Sequence, residues 1–380
     1  MKGLRKYLTP FAPDQSGAVS MCYALGGMVV IVDAGGCAGN ICGFDEPRWQ
    51  PDYASSSHVG AVFSAGLRDM DAILGRDEAL TAKVEEAARQ IDASFIALVG
   101  TPVPAVIGTD LTSAARMAQK ACHLPCIAIQ TDGMHLYDRG IEEALLTLVK
   151  AFSGPGEGDG QGQRASTDRN VCSVLGWNPL DLFDPQWADA VRSFLLSSGY
   201  DEVLIPGADR GLEAFVQLRH AKRNYVVSPA GIAAARHLEK MYGIPYEVTF
   251  PADPGILMEN NRHPCAEIPF PGDDLKVLVV HQQVLANAIR KFLAGSGFRG
   301  SLTAATWFRL DPEFAKEGDI HLQEEDDFIE LVQEGGFDLI IADPSLKPMA
   351  KQYQGAWIDA FHFAVSGQAA IDHRRNIIKG

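Results

Sequence analysis

Short, unbroken apolar runs alternate with Ala-rich amphipathic stretches along nearly the whole chain, and this rhythm restricts the fold more than any other feature. In the first third the runs fall at residues 28–33, 94–100 and 125–131, with helix-type segments at 81–91, 111–122 and 141–152. The middle third repeats the pattern, with runs at 170–175, 202–206 and 225–228 and helix-type segments at 185–197, 212–221 and 231–242. The last third has runs at 276–281, 301–306 and 338–342, and helix-type segments at 283–294, 325–334 and 347–352. A run that is apolar throughout suits a strand buried on both faces, as in a parallel sheet. Parallel neighbours need a crossover, which the intervening helices supply. The rhythm predicts an α/β protein of three doubly wound, Rossmann-like domains with parallel sheets.

With 380 residues, 47% of them hydrophobic, the chain can fill two or three cores. Residues 153–168 are glycine-rich, polar and aperiodic, which is the signature of a linker. The expected division is an N-terminal domain at 1–153 carrying the cysteine loop, a linker at 154–168, a middle domain at 169–270 and a C-terminal domain at 271–380. A less regular stretch at 251–274 forms a second connection.

The net charge of −15 disfavours nucleic acid and anionic membrane as partners. No apolar run reaches the roughly 18–20 residues of a membrane span. The first ten residues lack an apolar signal core, so a cytoplasmic location is expected. Seven cysteines, an odd number, argue against a disulfide framework and for metal binding or burial. There is no Gly-x-x-x-x-Gly-Lys-Ser/Thr loop and no Gly-x-Gly-x-x-Gly after a strand, so neither ATP nor NAD is expected on this chain.

The densest chemistry follows the first apolar run, where residues 33–43 hold Cys37, Cys42 and four glycines. Open α/β sheets place ligands at the carboxyl ends of strands. Thiolates there can hold a soft metal or an iron–sulfur cluster, while glycines bring backbone N–H groups to the cluster sulfurs. Cys37 is the first metal-ligand candidate, weighed against a buried thiol. Cys42 either ligates or packs under the loop. Cys22, in a helix-type segment at 17–25, is a third candidate, set against core packing. Gly35, Gly36, Gly39 and Asn40 are the cofactor-binding candidates. Cys122 and Cys126 lack the second pair that zinc would want and read as buried. Cys172 sits in an apolar run, and Cys265 in an irregular stretch is unassigned. Asp45-Glu46-Pro47-Arg48-Trp49 reads either as a substrate or intersubunit contact or as a surface turn.

Several segments resemble the component 1 proteins of the nitrogenase superfamily. These include nitrogenase molybdenum–iron protein subunits, cofactor-assembly scaffolds, dark protochlorophyllide reductase and the nickel-tetrapyrrole reductive cyclase. Asp33-Ala34-Gly35-Gly36-Cys37 is similar to the family's His-Gly-Pro-x-Gly-Cys loop. Residues 99–110 resemble its second loop, and residues 131–144 its Thr-Pro-Gly-Phe…Gly-Tyr…Ala segment. Ser228-Pro229-Ala230-Gly231 through Tyr246 and Phe337 through Pro348 are similar to segments of its middle and last domains. The chain also departs from the pattern. Thr101 stands where the second loop usually has cysteine, and residues 10–15 occupy the region of the earliest cysteine.

The resemblance implies a reductase component. It would take electrons from an ATP-dependent iron protein into an iron–sulfur cluster, most simply a [4Fe–4S] cluster shared across a homodimer or with a related chain. The substrate would be a small molecule or a tetrapyrrole. The alternatives are a scaffold for metallocluster assembly and a non-catalytic partner subunit. By the same resemblance Asp14 and Gln15 are pocket candidates, and His58, His135, Tyr137 and His281 are candidate proton donors, each set against an ordinary structural role.

Overall fold

The computed structural model describes residues 5–45, 60–68, 77–154, 169–208, 211–259 and 274–367. Their strands form three sheets. In the first, β2 (Ala61–Ser64), β1 (Met28–Ile31), β3 (Ile96–Val99) and β4 (Cys126–Ile129) lie side by side, all parallel. The second has β6 (Glu202–Leu204), β5 (Val171–Leu175), β7 (Arg223–Val226) and β8 (Tyr246–Val248), again all parallel. In the third, β12 (Ile320–His321), β11 (Ser301–Thr306), β10 (Lys276–Val280), β13 (Leu339–Ala342) and β14 (Ala356–Ala360) are parallel. β9 (Met258–Glu259) closes its edge antiparallel to β14. The expected α/β class with parallel sheets is thus present, with one correction at that edge. β9 lies before residue 270 in the chain yet belongs to the third sheet.

Each sheet grows from its first strand in one direction and then in the other. The order reverses between β1 and β3, between β5 and β7, and between β10 and β13. Such switch points leave a crevice outside the strands' carboxyl ends, where ligands bind in open α/β sheets. The residues of the candidate site described below lie on the connections that follow such strand ends, or on the segment leading into helix Asp14–Ala24 and its first turn.

The strands are apolar because both faces are covered. Along β1, Val29 and Ile31 pack into the large core that runs through all three sheets, while Met28 and Val30 pack into a second cluster on the opposite face. Helix Leu111–Cys122 starts where Asp110 accepts the Ser113 N–H at 2.9 Å, as its capping side chain predicts. Helices Asp14–Ala24 and Tyr137–Phe152 cross with their backbones touching. A Cβ on Gly140 would fall 1.7 Å from the Asp14 carbonyl oxygen, and one on Gly17 would fall 2.0 Å from the Tyr137 carbonyl oxygen. Only glycine permits that approach.

The helix expected at 347–352 is instead a 3-10 turn, Pro344–Met349. Pro348 lacks the N–H that an α-helix interior needs, and its ring clashes with the preceding turn. The rhythm also misses β2, β8, β9, β12 and β14. No helix among the described residues is long and apolar enough to cross a membrane.

Candidate functional site

A cavity of about 450 Å³ opens where loops of the three sheets meet. Residues 9–13, Gln15 and Ser16 form one wall. Cys37, Asn40, Ile41 and Asp45, beyond β1, form the second. Leu180 beyond β5 and Phe363, Ala364, Ser366 and Gly367 beyond β14 form the third. The lining is apolar at Phe11, Ile41, Leu180 and Phe363, with a few polar groups, as small-ligand sites usually are. A larger groove of about 540 Å³ lies over Tyr7, Phe337 and Tyr353, but among the described residues no cysteine, histidine or carboxylate lines it.

The segment that forms the first wall is tied to the third sheet. The Glu325 carboxylate accepts the N–H groups of Lys6, Tyr7 and Leu8 at 2.8, 3.0 and 2.7 Å. Burial raises the Glu325 pKa, but these hydrogen bonds outweigh it and hold the carboxyl below its ordinary value. Glu325→Gln is expected to weaken the tie by about 1.5 kcal/mol, seen as roughly tenfold faster hydrogen exchange at residues 6–8.

The cysteine loop is held by Asp33. Its carboxylate accepts the Ser64 hydroxyl at 2.5 Å and the Ala38 N–H at 3.1 Å. Gly35 has φ 111°, a left-handed conformation that suits glycine, and it caps the short helix Gly36–Asn40. A Cβ on Gly36 or Gly39 would meet nothing within 4 Å, so their backbones face open space. Cys37 is half-buried and lines the cavity. Burial, and then the Asp33 charge, push its thiol pKa up. The ligand-free thiol therefore keeps its proton, and metal binding would release it.

Cys42 is half-buried and outside the cavity lining. Cys22 is 0% exposed and packs in the core. Thr101, in the cysteine position of the second loop, is buried and donates its hydroxyl to the Val32 carbonyl at 2.8 Å. It braces the end of β1.

Behind the cavity lies a buried polar network joining all three sheets. Asp181, next to Leu180, accepts the Tyr137 hydroxyl at 2.5 Å and the His362 Nε2–H at 2.9 Å on Oδ1, and the Asn178 amide at 2.8 Å on Oδ2. Burial alone would raise the Asp181 pKa, but the hydrogen bonds and charge of His362, with those from Tyr137 and Asn178, bring it below the ordinary value. Burial, and then the Asp181 charge, push the Tyr137 phenol far above its usual range, so it stays protonated.

His281 stacks on His362 at 4.3 Å. Its Nδ1 accepts the Gln282 N–H at 2.8 Å, which places the proton on Nε2, facing the Phe361 carbonyl at 3.3 Å. Burial, and then His362, lower its pKa to about 3. These groups touch the cavity only through sequence neighbours, Leu180 and Phe363.

Of the four proton-donor candidates, Tyr137 and His281 are sealed in this network. His135 is exposed on the loop after β4, beside Asp14 and Asp132. His58 lies outside the described residues, as do Glu46 through Trp49 and Cys265. Gln15 lines the cavity, while Asp14 turns toward His135. Asp181 and His362 were not singled out from the sequence. Their available signal was position: a polar residue just beyond a strand end. For His362, the strand itself was missed.

Residues 28–255, more than half of the chain, match the family described as Nitrogenase component 1 type Oxidoreductase. The chain belongs to the nitrogenase component 1 family. Two curated relatives are nitrogenase iron–molybdenum cofactor biosynthesis proteins NifE. That of Clostridium pasteurianum is 26% identical over 187 residues, covering 48% of this chain and 38% of the relative. That of Sinorhizobium fredii (strain NBRC 101917 / NGR234) is 28% identical over 193 residues, covering 48% and 36%. The chain thus matches well under half the length of either relative. Two solved structures, nitrogenase Cp1 at pH 5 and at pH 6.5, superpose with TM-scores of 0.66 and 0.65 at 15% and 12% identity. Each covers 94% of this chain, with 84% and 87% of the solved chain matched. At that identity they establish the shared component 1 fold, and they extend it beyond residue 255.

Proposed function

We propose that this component 1 chain is one half of a reductase component. It would hold an iron–sulfur cluster on Cys37, shared with a second component 1-type chain, and serve the reduction of a small molecule or tetrapyrrole. The observation that carries this reading is that Cys37, on its glycine loop beyond β1, lines the cavity at the meeting point of the three sheets, as no other cysteine among the described residues does.

The residues present fit such a group as a half-site. One chain offers Cys37 and, nearby in sequence, Cys42, whereas a [4Fe–4S] cluster takes four thiolates. A two-fold interface would double the set. When bound, the cluster would supply one-electron transfer at low potential from an ATP-dependent iron protein.

The chain's own contributions follow from the geometry. Gly36 and Gly39 leave open space at their Cβ positions beside Cys37, which would let a bound group approach the backbone there. Phe11, Leu180 and Phe363 keep water off one side of the cavity. Asp33 and Glu325 fix two of its walls through backbone N–H groups.

A second reading has support from the relatives, both named as cofactor biosynthesis proteins. In it the same cavity holds a metallocluster as cargo, to be passed on.

The test is iron and acid-labile sulfide content of anaerobically purified protein and of Cys37→Ala. About two irons per chain, lost in the variant, are expected. Iron-free protein that stays folded and resists reconstitution would sink the cluster reading. Reductant-driven turnover of a candidate substrate favours the reductase, and release of cluster to an acceptor protein favours the scaffold.

A further inference from the structure

We propose that Asp14, Asp132 and His135 form a divalent-cation site, with the side-chain carbonyl of Gln15 as a further oxygen donor. Of these residues only Gln15 also lines the cavity of Cys37, and the site does not depend on the cluster reading. Among the described residues these three side chains bring one ligand atom each within 4.8 Å of the others. His135 Nδ1 is 3.2 Å from Asp132 Oδ1 and 3.8 Å from Asp14 Oδ2. The longer separation exceeds hydrogen-bond reach. Two donors each about 2.1 Å from one cation stand roughly 3.0 Å apart at a right angle and roughly 3.4 Å apart at the tetrahedral angle. The two His135 spacings need only a few tenths of an ångström of adjustment.

The frame is already set. The Asp14 N–H donates to the His135 carbonyl at 2.9 Å, and the Tyr137 N–H to the Ala12 carbonyl at 2.9 Å. These bonds lay residues 12–14 against 135–137. Asp14 Oδ1 accepts the Gly133 N–H at 2.8 Å and Oδ2 the Asp132 N–H at 3.1 Å.

An independent observation points to a missing partner. Gln15 is 6% exposed, and its Oε1 is shielded from solvent without a hydrogen-bond donor. That oxygen lies against Gly133, where an added Cβ would come within 3.2 Å of it. Gly133 follows Asp132 and is bonded to Asp14, so the unpartnered oxygen faces the loop that carries the cluster of ligands. A cation, or a water bound to it, would satisfy the oxygen. Charge argues the same way. Among the described residues His135 is the basic partner of both carboxylates.

Carboxylate and amide oxygens with one imidazole suit manganese(II) better than a soft metal, with zinc(II) the competitor. Such an ion would pin the loop after β4 to the start of helix Asp14–Ala24, whose Gln15 and Ser16 line the cavity.

The experiment is titration of the full chain with Mn2+, read by EPR of the free ion, alongside Asp132→Asn, His135→Ala and Cys37→Ala. Saturable binding of one ion per chain is expected, weakened about tenfold or more in the first two variants and unchanged in Cys37→Ala. Absence of saturable binding up to about 1 mM overturns the site. So does binding that persists undiminished in Asp132→Asn and His135→Ala, or that is lost in Cys37→Ala. Both ligand residues are partly exposed, so the variants are expected to fold. Should they not, selective paramagnetic broadening of the His135 imidazole signals in the unmutated chain supports the site, and its absence overturns it.

Discussion

Asp181→Ala is expected to destabilise the chain by about 3–5 kcal/mol, because it leaves three buried donors unsatisfied at about 1–3 kcal/mol each. The substitution leaves the Tyr137 hydroxyl, the His362 Nε2–H and the Asn178 amide facing an apolar gap. All three are buried where water does not reach. Tyr137 follows the first sheet, Asn178 the second and His362 the third, so the loss falls on the junction of all three rather than on one of them. Urea unfolding followed by tryptophan fluorescence measures the effect. Asp181→Asn, which keeps one oxygen for Tyr137 and His362, should recover part of it. A midpoint within experimental error of the unmutated chain would show that the network contributes no net stability.

The second large effect is acid lability from His281. Its folded pKa is about 3, against about 6.5 in an unfolded chain. The sign follows from which state binds the proton. Above pH 6.5 both states hold the neutral ring, and the full stability is present. As pH falls below 6.5 the unfolded chain takes up a proton that the folded chain refuses, so stability drops by up to about 1.4 kcal/mol per pH unit until the folded value is reached. Between pH 7 and pH 5 the expected loss is about 2 kcal/mol. Asp181 does not confuse this window. Its depressed carboxyl contributes stability above the unfolded value of about 3.9, lost only as pH falls through the folded value. His281→Phe should lower stability at pH 7, because the Gln282 N–H loses its acceptor. It should also flatten the pH 7 to 5 slope. A slope unchanged in His281→Phe would refute the assignment.

The alternation of apolar runs with amphipathic helices foretold the three-sheet α/β architecture because burial on both faces leaves its mark on every residue of a strand. Cys37 was legible for a related reason: a glycine loop after such a strand is a local signal, and local order alone puts it at a strand's carboxyl end. The same holds for Asp110, whose cap spans three residues. What escaped was short or depended on distance. β2 and β14 are four and five residues long, and β14 mixes Asp359 into its apolar pattern.

The sequence by itself thus determined the fold class, the family and the cysteine loop, because periodicity, turn chemistry and motif order are properties of neighbours along the chain. Tertiary structure decided the environment of each side chain. It buried Tyr137 and His281 in a network with Asp181 and His362, which lie 44 and 225 residues from Tyr137, and it sealed Cys22 in the core. It turned Thr101 to the Val32 carbonyl and set Asp14 beside His135. Such placements rest on desolvation and on contacts between loops of different sheets, and no stretch of sequence carries either.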